Sequence, residues 1–197
     1  MAIKIIVAMD SNCNIGKEGK LPWKGKPEYR WDMSHFKETT INNIVVMGYN
    51  TFVSLNCKAL PNRVNYVITK NHVYNIEDNN VNKIFTSIED LNDWYQRWCV
   101  TDKDFKYEDL YIIGGAKIYK EFLQMGLVDE IILSVFDEKF DADIQFPTEY
   151  LYKSSGYRID DSKTKIYGNG KIYTFVRMTE TDFGLEDKYH DLRDIIK

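Results

Sequence analysis

Cysteine and histidine are scarce in this chain of 197 residues, and neither occurs in a metal-binding arrangement. The three cysteines, Cys13, Cys57 and Cys99, are widely spaced and form no C-x-x-C pair. They therefore predict free thiols in a reducing compartment rather than a disulfide framework or a zinc site. The three histidines also lack the spacing of metal ligands, so we expect no bound metal.

Long apolar runs and an excess of basic residues are absent as well. No apolar stretch approaches the roughly 18 residues of a membrane-spanning helix, and residues 1–8 are too short and strand-like for a signal peptide. The formal net charge is −4, and no dense run of lysine and arginine occurs that would bind nucleic acid. We expect a cytoplasmic monomer with neither a membrane nor a nucleic-acid partner.

The composition that remains is that of a globular protein, with 44% hydrophobic and 28% charged residues. The length suffices for one domain with a sizeable core. We expect that domain over residues 1–180, followed by a charged tail over residues 181–197. The tail would be either a short docked helix or disordered.

Short β-branched runs alternate with helical segments along most of the chain. Because these runs are apolar on both faces, they predict a mainly parallel sheet that helices cover on both sides. Towards the end, segments 157–165 and 171–178 flank a Gly-Asn turn and predict an antiparallel hairpin. The predicted strands are 3–9, 44–47, 64–69, 81–85, 110–113 and 130–136, and the predicted helices are 30–40, 50–55, 87–98 and 116–124.

The helix predicted over residues 30–40 carries a carboxylate beside apolar side chains. Asp32 and Phe36 are four residues apart and lie on one face, which Met33 partly shares. Desolvation there would raise the pKa of Asp32, as suits a group that helps to deliver a proton near neutral pH. An isolated Asp of this kind is more often a helix cap or a surface residue, so the assignment depends on the rest of the chain.

Two glycine-containing helix starts follow buried strands, one at Gly48 and one at Gly114-Gly115. The N–H groups of a helix N-terminus bind phosphate, and glycine lets the backbone approach the ligand closely. Thr51 adds a hydroxyl, so the two starts could straddle a dinucleotide. Neither matches G-x-G-x-x-G, and a Gly-Gly pair after a strand is more often a tight turn.

Two further segments have a functional and an ordinary interpretation. Residues 14–23 form a glycine-containing loop that could close over a cleft, or a plain surface connection with Trp23 packed beneath it. Arg63 could form a bidentate pair with a carboxylate or lie in a surface turn. The sequence offers no argument for a Ser/His/Asp or Cys/His arrangement.

Taken in order, these segments resemble the dihydrofolate reductase family over most of residues 3–178. Each segment is weak alone, but the ordered set is specific. The resemblance implies an eight-stranded, mostly parallel mixed sheet with an antiparallel C-terminal strand and helices on both faces. The matching segments are Ile15-Gly16 with Leu21-Pro22-Trp23; Asp32-Met33-x-x-Phe36-Lys37; Val46-Met47-Gly48 with Thr51 and Ser54; Leu60-Pro61-x-Arg63; Ile112-Ile113-Gly114-Gly115 with Ile118-Tyr119; and Asp143 to Phe146-Pro147.

The resemblance implies NADPH-dependent reduction of 7,8-dihydrofolate to tetrahydrofolate, the one-carbon carrier for thymidylate and purine synthesis, and inhibition by antifolates. Asp32 would bind the pterin and assist protonation of its N5, with Ser134 beside it. Leu21 would lie on the mobile loop, and Trp23 would help to order water in the site.

The resemblance also implies the residues that bind each ligand, and a cis peptide bond between Gly114 and Gly115. Arg63 would hold the glutamate carboxylate of the substrate. The other substrate residues would be Ile6, Val7, Asp32, Met33, Phe36, Leu55, Leu60, Ile113 and Tyr119. The cofactor residues would be Ala8, Ile15, Gly16, Asn50, Thr51, Thr69, Lys70, Gly114, Gly115, Ala116, Lys117, Ile118 and Tyr119.

The chain departs from the family pattern in several places, and alternatives remain open. Eight residues separate Trp23 from Asp32, a longer gap than in short bacterial members, so Glu28 is a second candidate acid. Tyr49 stands where an Arg or Lys commonly contacts the 2′-phosphate, a charge that Lys70 and Lys117 could supply instead.

Two segments lie outside the resemblance, and two alternative functions have to be weighed against it. The long segment 71–109 and the tail have no counterpart in the resemblance. The alternative enzyme is a related reductase of a riboflavin-pathway pyrimidine, against which the acid at position 32 argues. An inactive binding protein with this fold is disfavoured, because the matched site residues occur together.

Overall fold

A computed structural model describes residues 2–70, 80–101, 109–152, 156–179, 182 and 192–196. These residues contain eleven strands and five α-helices. The strands are β1 (Ala2–Asp10), β2 (Asn14–Gly16), β3 (Ile44–Gly48), β4 (Val64–Ile68), β5 (Lys83–Phe85), β6 (Asp109–Ile112), β7 (Glu130–Phe136), β8 (Ile144–Gln145), β9 (Tyr157–Ile159), β10 (Lys165–Tyr167) and β11 (Gly170–Arg177). The helices are α1 (Arg30–Thr40), α2 (Tyr49–Ser54), α3 (Ile88–Thr101), α4 (Ala116–Gln124) and α5 (Leu192–Ile195).

The main sheet has the order β10-β11-β7-β1-β6-β3-β4-β5. Strands β7, β1, β6, β3, β4 and β5 pair in parallel, whereas β11 pairs antiparallel with β7. The prediction of a mostly parallel mixed sheet is confirmed. Parallel neighbours require crossovers, and the helices between the strands provide them.

Both faces of the sheet are buried, as the apolar runs predict. Along β1, Ile3, Ile5 and Val7 face one hydrophobic cluster, whereas Ile6 faces the other. Helices α3 and α4 pack on the first face, and α1 and α2 pack on the second. The period of two along each strand thus distributes the apolar side chains between two cores.

The main sheet has nine strands, whereas the resemblance implies eight. The predicted strand 157–165 is wrong as one continuous element, because β9 and β10 pair with different parts of the same edge of β11. A 3₁₀ turn, Asp161–Lys163, separates them, and the carboxyl group of Asp160 accepts a hydrogen bond from the backbone N–H of Ser162. Two short strands therefore occupy one edge position.

The start of the predicted loop 14–23 is also wrong, since Asn14–Gly16 forms strand β2. It pairs antiparallel with β8, which lies about 130 residues later in the chain. The other predicted strands and helices occur. Strand 130–136 and helices 30–40 and 116–124 have the predicted bounds, and the bounds of the rest shift by at most three residues.

The predictions for residues 71–79, 102–108 and most of the tail lie outside the described residues. In the part of the tail that is described, α5 docks on the domain: Leu192 is fully buried, and Ile195 and Ile196 pack against the main core. Among the described helices, none is long and apolar enough to cross a membrane.

Candidate active site

A cleft of about 700 Å³ crosses the carboxyl ends of the parallel strands. Residues from β1, β3 and β4 reach it, together with the first residues of α2, α3 and α4. This is the edge at which open α/β sheets bind their ligands. Every site residue named from the sequence lines the cleft except Trp23, Arg63 and Ser134.

Asp32 is the buried acid of the cleft. It lies in the first turn of α1 with 6% of its surface exposed. Burial raises the pKa of its carboxyl from 3.8 to about 6, and a hydrogen bond from the Ser134 hydroxyl opposes that rise. The expected direction of the pKa shift is therefore confirmed, whereas Met33, expected beside it as an apolar wall, is 51% exposed.

Ser134 and Trp23 lie behind the cleft lining. Ser134 is buried on β7, opposite Ala8 of β1, and contacts the Asp32 carboxyl. Trp23 packs edge-on against Phe136, with ring centroids 4.7 Å apart. Its indole Nε1 is buried and has no hydrogen-bond partner among the described residues, which leaves a donor available to water or a ligand.

The second candidate acid, Glu28, does not share this environment. It lies in a short 3₁₀ helix, Pro27–Tyr29, is exposed to solvent, and does not line the cleft. Desolvation therefore acts on Asp32 and not on Glu28, which favours Asp32 as the acid.

Apolar side chains and one guanidinium form the end of the cleft near Asp32. Phe36, Leu55 and Leu60 line this end. Arg63 lies just outside, with its guanidinium carbon 5.7 Å from the centre of the Phe36 ring. Its Nε donates to Thr40 Oγ1 at 2.7 Å, and its other nitrogens donate to the carbonyls of Pro61 and Lys37.

Glycines form a tight cradle in the middle of the cleft. The peptide bond between Gly114 and Gly115 is cis, and Gly114 has φ 124°. A Cβ at Gly114 would lie 3.2 Å from Tyr119 Oη and 3.4 Å from Thr51 Oγ1. Tyr119 is held in place by a 3.1 Å hydrogen bond from its hydroxyl to the Ile6 carbonyl. A larger residue at Gly114 would therefore fill the space that a ligand could use.

The helix starts beside this cradle leave backbone donors free. Gly48 and Gly115 are the N-cap residues of α2 and α4, and no described side chain caps either helix. The Gly48 N–H donates to the Gly114 carbonyl at 2.8 Å, which holds the two starts together. Unpaired N–H groups of this kind bind phosphate.

Charged residues surround the far end of the cleft. Lys70 and Lys117 line it, and Lys117 Nζ lies 3.7 Å from Glu121 Oε1 in the next turn of α4. Tyr49 and Glu89 also line this end. Its two lysines are therefore partly balanced by two carboxylates.

The loop over residues 17–26 is fastened to the segment between β7 and β8. The Glu18 N–H donates to Asp143 Oδ2 at 3.0 Å, and the Asp143 N–H donates to the Gly16 carbonyl at the same distance. Leu21 lines the cleft from this loop and is 39% exposed. These contacts leave Leu21 at the cleft mouth.

Several lining residues were not identified from the sequence. The start of α3 is the clearest case, because it follows β5 as the starts of α2 and α4 follow their strands. That shared pattern could have revealed it, and Ser87 Oγ caps the helix by accepting a hydrogen bond from the Asp90 N–H. The lining residues that the sequence did not indicate are Gly19, Lys20, Ile68, Thr86, Ser87, Ile88, Glu89, Glu121 and Ile144. Among the described residues, no group of His, Cys, Asp and Glu side chains could hold a metal ion.

Comparisons with known proteins identify the family to which the chain is similar. A family model described as dihydrofolate reductase matches residues 2–179. The dihydrofolate reductase of Ureaplasma parvum is 34% identical over 172 residues, which cover 85% of this chain and 92% of that protein. The bifunctional dihydrofolate reductase-thymidylate synthase of Paramecium tetraurelia is 32% identical over 173 residues, or 87% of this chain, but the chain spans only 33% of that longer protein.

A solved structure is similar as well. The dihydrofolate reductase from Enterococcus faecalis, complexed with NADP(H) and RAB-propyl, superposes with a TM-score of 0.71 and 28% sequence identity. The superposition covers 89% of this chain and 96% of that one.

Proposed function

This chain belongs to the dihydrofolate reductase family, and we propose that it reduces 7,8-dihydrofolate to 5,6,7,8-tetrahydrofolate with NADPH while Asp32 assists protonation of pterin N5. The product would supply one-carbon carriers for thymidylate and purine synthesis. Antifolates that mimic the pterin would compete for the same cleft. The observation that carries the proposal is a single buried carboxyl at the apolar end of the cleft, beside a glycine cradle.

The cleft has a glycine cradle in its middle and an apolar end near Asp32, which suits the phosphates of a dinucleotide beside a second ligand. Its volume of about 700 Å³ is within the range of small-molecule sites. The Gly114–Gly115 cradle and the uncapped starts of α2 and α4 would hold the phosphates, with Asn50 and Thr51 adding polar groups. The backbones of Ala8 and Ile15 would hold the nicotinamide carboxamide. When bound, NADPH supplies the hydride.

The proton would be managed by Asp32. With a pKa of about 6, this carboxyl is mostly ionised at pH 7 and can accept hydrogen bonds from the pterin amino group and ring N3. Its negative charge favours the protonated pterin, which lowers the barrier to protonation of N5 through water. The Ser134 hydroxyl orients the carboxyl, and Leu21 on the loop over residues 17–26 excludes bulk water.

The alternative is a related reductase acting on a riboflavin-pathway pyrimidine. That family lacks an acid at the position of Asp32, and the pyrimidine would leave the apolar end near Phe36 and Leu60 unfilled. The two functions differ in one simple assay. Oxidation of NADPH followed at 340 nm should be rapid with dihydrofolate and undetectable with the pyrimidine, and the reverse result would reject the proposal.

The acid is tested by a pair of variants, Asp32→Asn and Glu28→Gln. Asp32→Asn should keep the fold and NADPH binding but lower kcat for dihydrofolate at pH 7 by about 10²–10⁴-fold, because the amide cannot carry the charge. The loss should shrink as pH falls, since solution then protonates N5, and the wild-type rate should fall above an apparent pKa near that of Asp32.

Profiles of kcat against pH from about 5 to 9 decide the assignment. Glu28→Gln should match the wild-type profile throughout. If Glu28→Gln is impaired and Asp32→Asn is not, Glu28 is the acid; if neither is impaired, the mechanism is wrong.

A further inference from the structure

A second carboxyl group, outside the cleft, is more deeply buried than Asp32. Asp10, the last residue of β1, has 0% of its surface exposed. No cationic side chain among the described residues lies within ion-pair distance of it. Its carboxyl group accepts four hydrogen bonds instead. Oδ1 accepts from the backbone N–H groups of Asn12 and Asn14, at 2.8 and 2.9 Å. Oδ2 accepts from the side-chain amide of Asn14 at 2.9 Å and from the backbone N–H of Phe140 at 2.7 Å. Each oxygen thus accepts two hydrogen bonds.

These bonds connect two segments that are far apart in sequence. Asn12 lies in the turn between β1 and β2 and Asn14 begins β2, whereas Phe140 belongs to the segment between β7 and β8. The Asn14 amide adds a 3.3 Å hydrogen bond to the Phe140 carbonyl, and the Cys13 carbonyl accepts one from the Phe146 N–H at 2.9 Å. Asp10 therefore lies at the centre of the junction that holds β2 in place.

The junction bears on one wall of the cleft. Ile15 and Gly16 of β2 line the cleft directly after Asn14, whereas Asp10 and Asn14 do not. On the other side of the junction, the ring of Phe140 packs against Trp23, with centroids 5.6 Å apart. A change at Asp10 can therefore reach a ligand only indirectly, through the backbone of β2 or through Phe140 and Trp23.

We propose that Asp10 is a positioning residue, which holds the Ile15-Gly16 wall in place for the nicotinamide half of NADPH. The inference rests on the proposed function, in which Ile15 meets the nicotinamide. The adenosine half would lie at the far end of the cleft, beside Lys70 and Lys117, which have no contact with this junction. Loss of Asp10 should therefore weaken one half of the cofactor site and spare the other.

Asp10→Asn is a sharp test because it hardly changes the size of the side chain. Whichever way the amide of Asn rotates, its NH₂ group faces two N–H donors where an oxygen accepted them. Two hydrogen bonds are lost, and N–H groups of the new amide then face N–H groups of the backbone or of Asn14 at a site without solvent. Asn14→Ala is the milder variant, since it removes only the bonds made by one side-chain amide.

The measurement is the dissociation constant of two probes, NADPH and 2′,5′-ADP, by calorimetric titration. For Asp10→Asn the Kd of NADPH should rise about tenfold or more, and that of 2′,5′-ADP should stay within about twofold. Asn14→Ala should also weaken NADPH binding and spare 2′,5′-ADP binding, with a smaller rise in the Kd of NADPH. It replaces Asp10→Asn in the test if that variant does not fold. A general loss of stability would weaken the binding of both probes alike.

Asp182→Asn is the matched control. Asp182 is also a buried carboxyl, bound by the Thr179 N–H and by Arg158, but it does not line the cleft. Its substitution should change neither Kd. The inference fails if folded Asp10→Asn and Asn14→Ala bind NADPH as the wild type does, or if both probes lose affinity equally. Either result would leave the proposed function standing. A wild-type protein that binds neither probe would instead overturn the proposed function, and the inference with it.

Discussion

Burial of the Asp32 carboxyl makes the folded state favour its protonated form. The pKa is 3.8 for a free Asp and about 6 in the fold. Between those values the folded protein keeps a proton that the unfolded chain has lost, so stability falls as pH rises through this window. Above about pH 6 the full penalty is present, of the order of 3 kcal/mol at most. The residue proposed to be catalytic is thus one that opposes folding.

Asp32→Asn should therefore stabilise the protein at neutral pH. We expect the free energy of unfolding to rise by about 1–3 kcal/mol at pH 7.5 and to change little at pH 4, where the wild-type carboxyl is protonated in the fold. Urea denaturation at both pH values measures the difference. Glu28→Gln, which removes an exposed carboxyl, is the control and should leave the free energy of unfolding unchanged at both pH values. An equal gain at both pH values would show that ionisation is not the cause.

Arg63 binds neighbouring backbone as well as the ligand proposed for it. We expect Arg63→Ala to weaken dihydrofolate binding far more than NADPH binding, because it removes the charge-assisted bidentate pair proposed with the glutamate carboxylate, and hydrogen bonds to charged groups contribute about 1.5–3 kcal/mol. Thr40→Val is the matched control, since it removes the acceptor of Arg63 Nε but leaves the guanidinium. Fluorescence titration with each ligand tests both variants. Equal losses for the two ligands, or a full loss in Thr40→Val, would contradict the role of Arg63.

At the scale of elements, hydrophobic periodicity predicts the long strands and the helices, but it misses short strands that form only by pairing with distant segments. Ile5 and Ile6 face opposite cores, and runs of this kind reveal the parallel strands from the sequence. By contrast, β2 and β8 are two or three residues long and exist only because they pair across the chain. The break between β9 and β10 depends on a turn at Asp160 that no hydrophobic pattern records.

The candidate site divides in the same way. The residues that fall on strand ends and helix starts, such as Asp32, Thr51 and Gly114, follow from short motifs, and they line the cleft. The start of α3 also reaches the cleft, but only because β5 lies at the edge of the sheet beside β4. That placement is a property of the strand order, which the sequence does not reveal without the fold.

Three residues line the cleft where the 2′-phosphate of NADPH is expected: Tyr49 at the start of α2, Lys70 two residues after β4, and Lys117 in the first turn of α4. Glu121 pairs with Lys117 and Glu89 lies near Lys70, so each lysine supplies only part of a positive charge. We expect a preference for NADPH over NADH that Tyr49→Arg increases and Lys70→Met decreases, each by about tenfold, since a hydrogen bond to a charged group contributes about 1.5–3 kcal/mol. The ratio of kcat/KM for the two cofactors measures it.

Lys58→Met is the control for the charge lost in Lys70→Met, because Lys58 is exposed and does not line the cleft. Equal use of NADH and NADPH by the wild-type protein would show that neither Lys70 nor Lys117 reaches the phosphate.

At the scale of the whole molecule, the chain continues beyond the family match, which ends at residue 179. The described part of this tail returns to the domain. Leu192 is fully buried, and its N–H donates to the Leu151 carbonyl at 3.2 Å. Nearer the domain, Asp182 binds Arg158 of β9 through a 3.1 Å ion pair. These contacts lie on residues outside the cleft lining, so the tail should contribute to stability and not to chemistry.

Truncation after Thr179 should therefore lower the free energy of unfolding and leave kcat within a fewfold. Leu192→Ala should reproduce much of that effect, about 2–5 kcal/mol, because it leaves a cavity at a fully buried site. Ile166→Ala, which shortens an apolar side chain that is exposed and outside the cleft lining, is the matched control and should affect neither quantity. Urea denaturation and steady-state kinetics on the same preparations separate the two effects. A truncated protein that is folded and saturated with both ligands but inactive would show that the tail acts in the site, and a Leu192→Ala variant as stable as wild type would show that α5 does not dock through this residue.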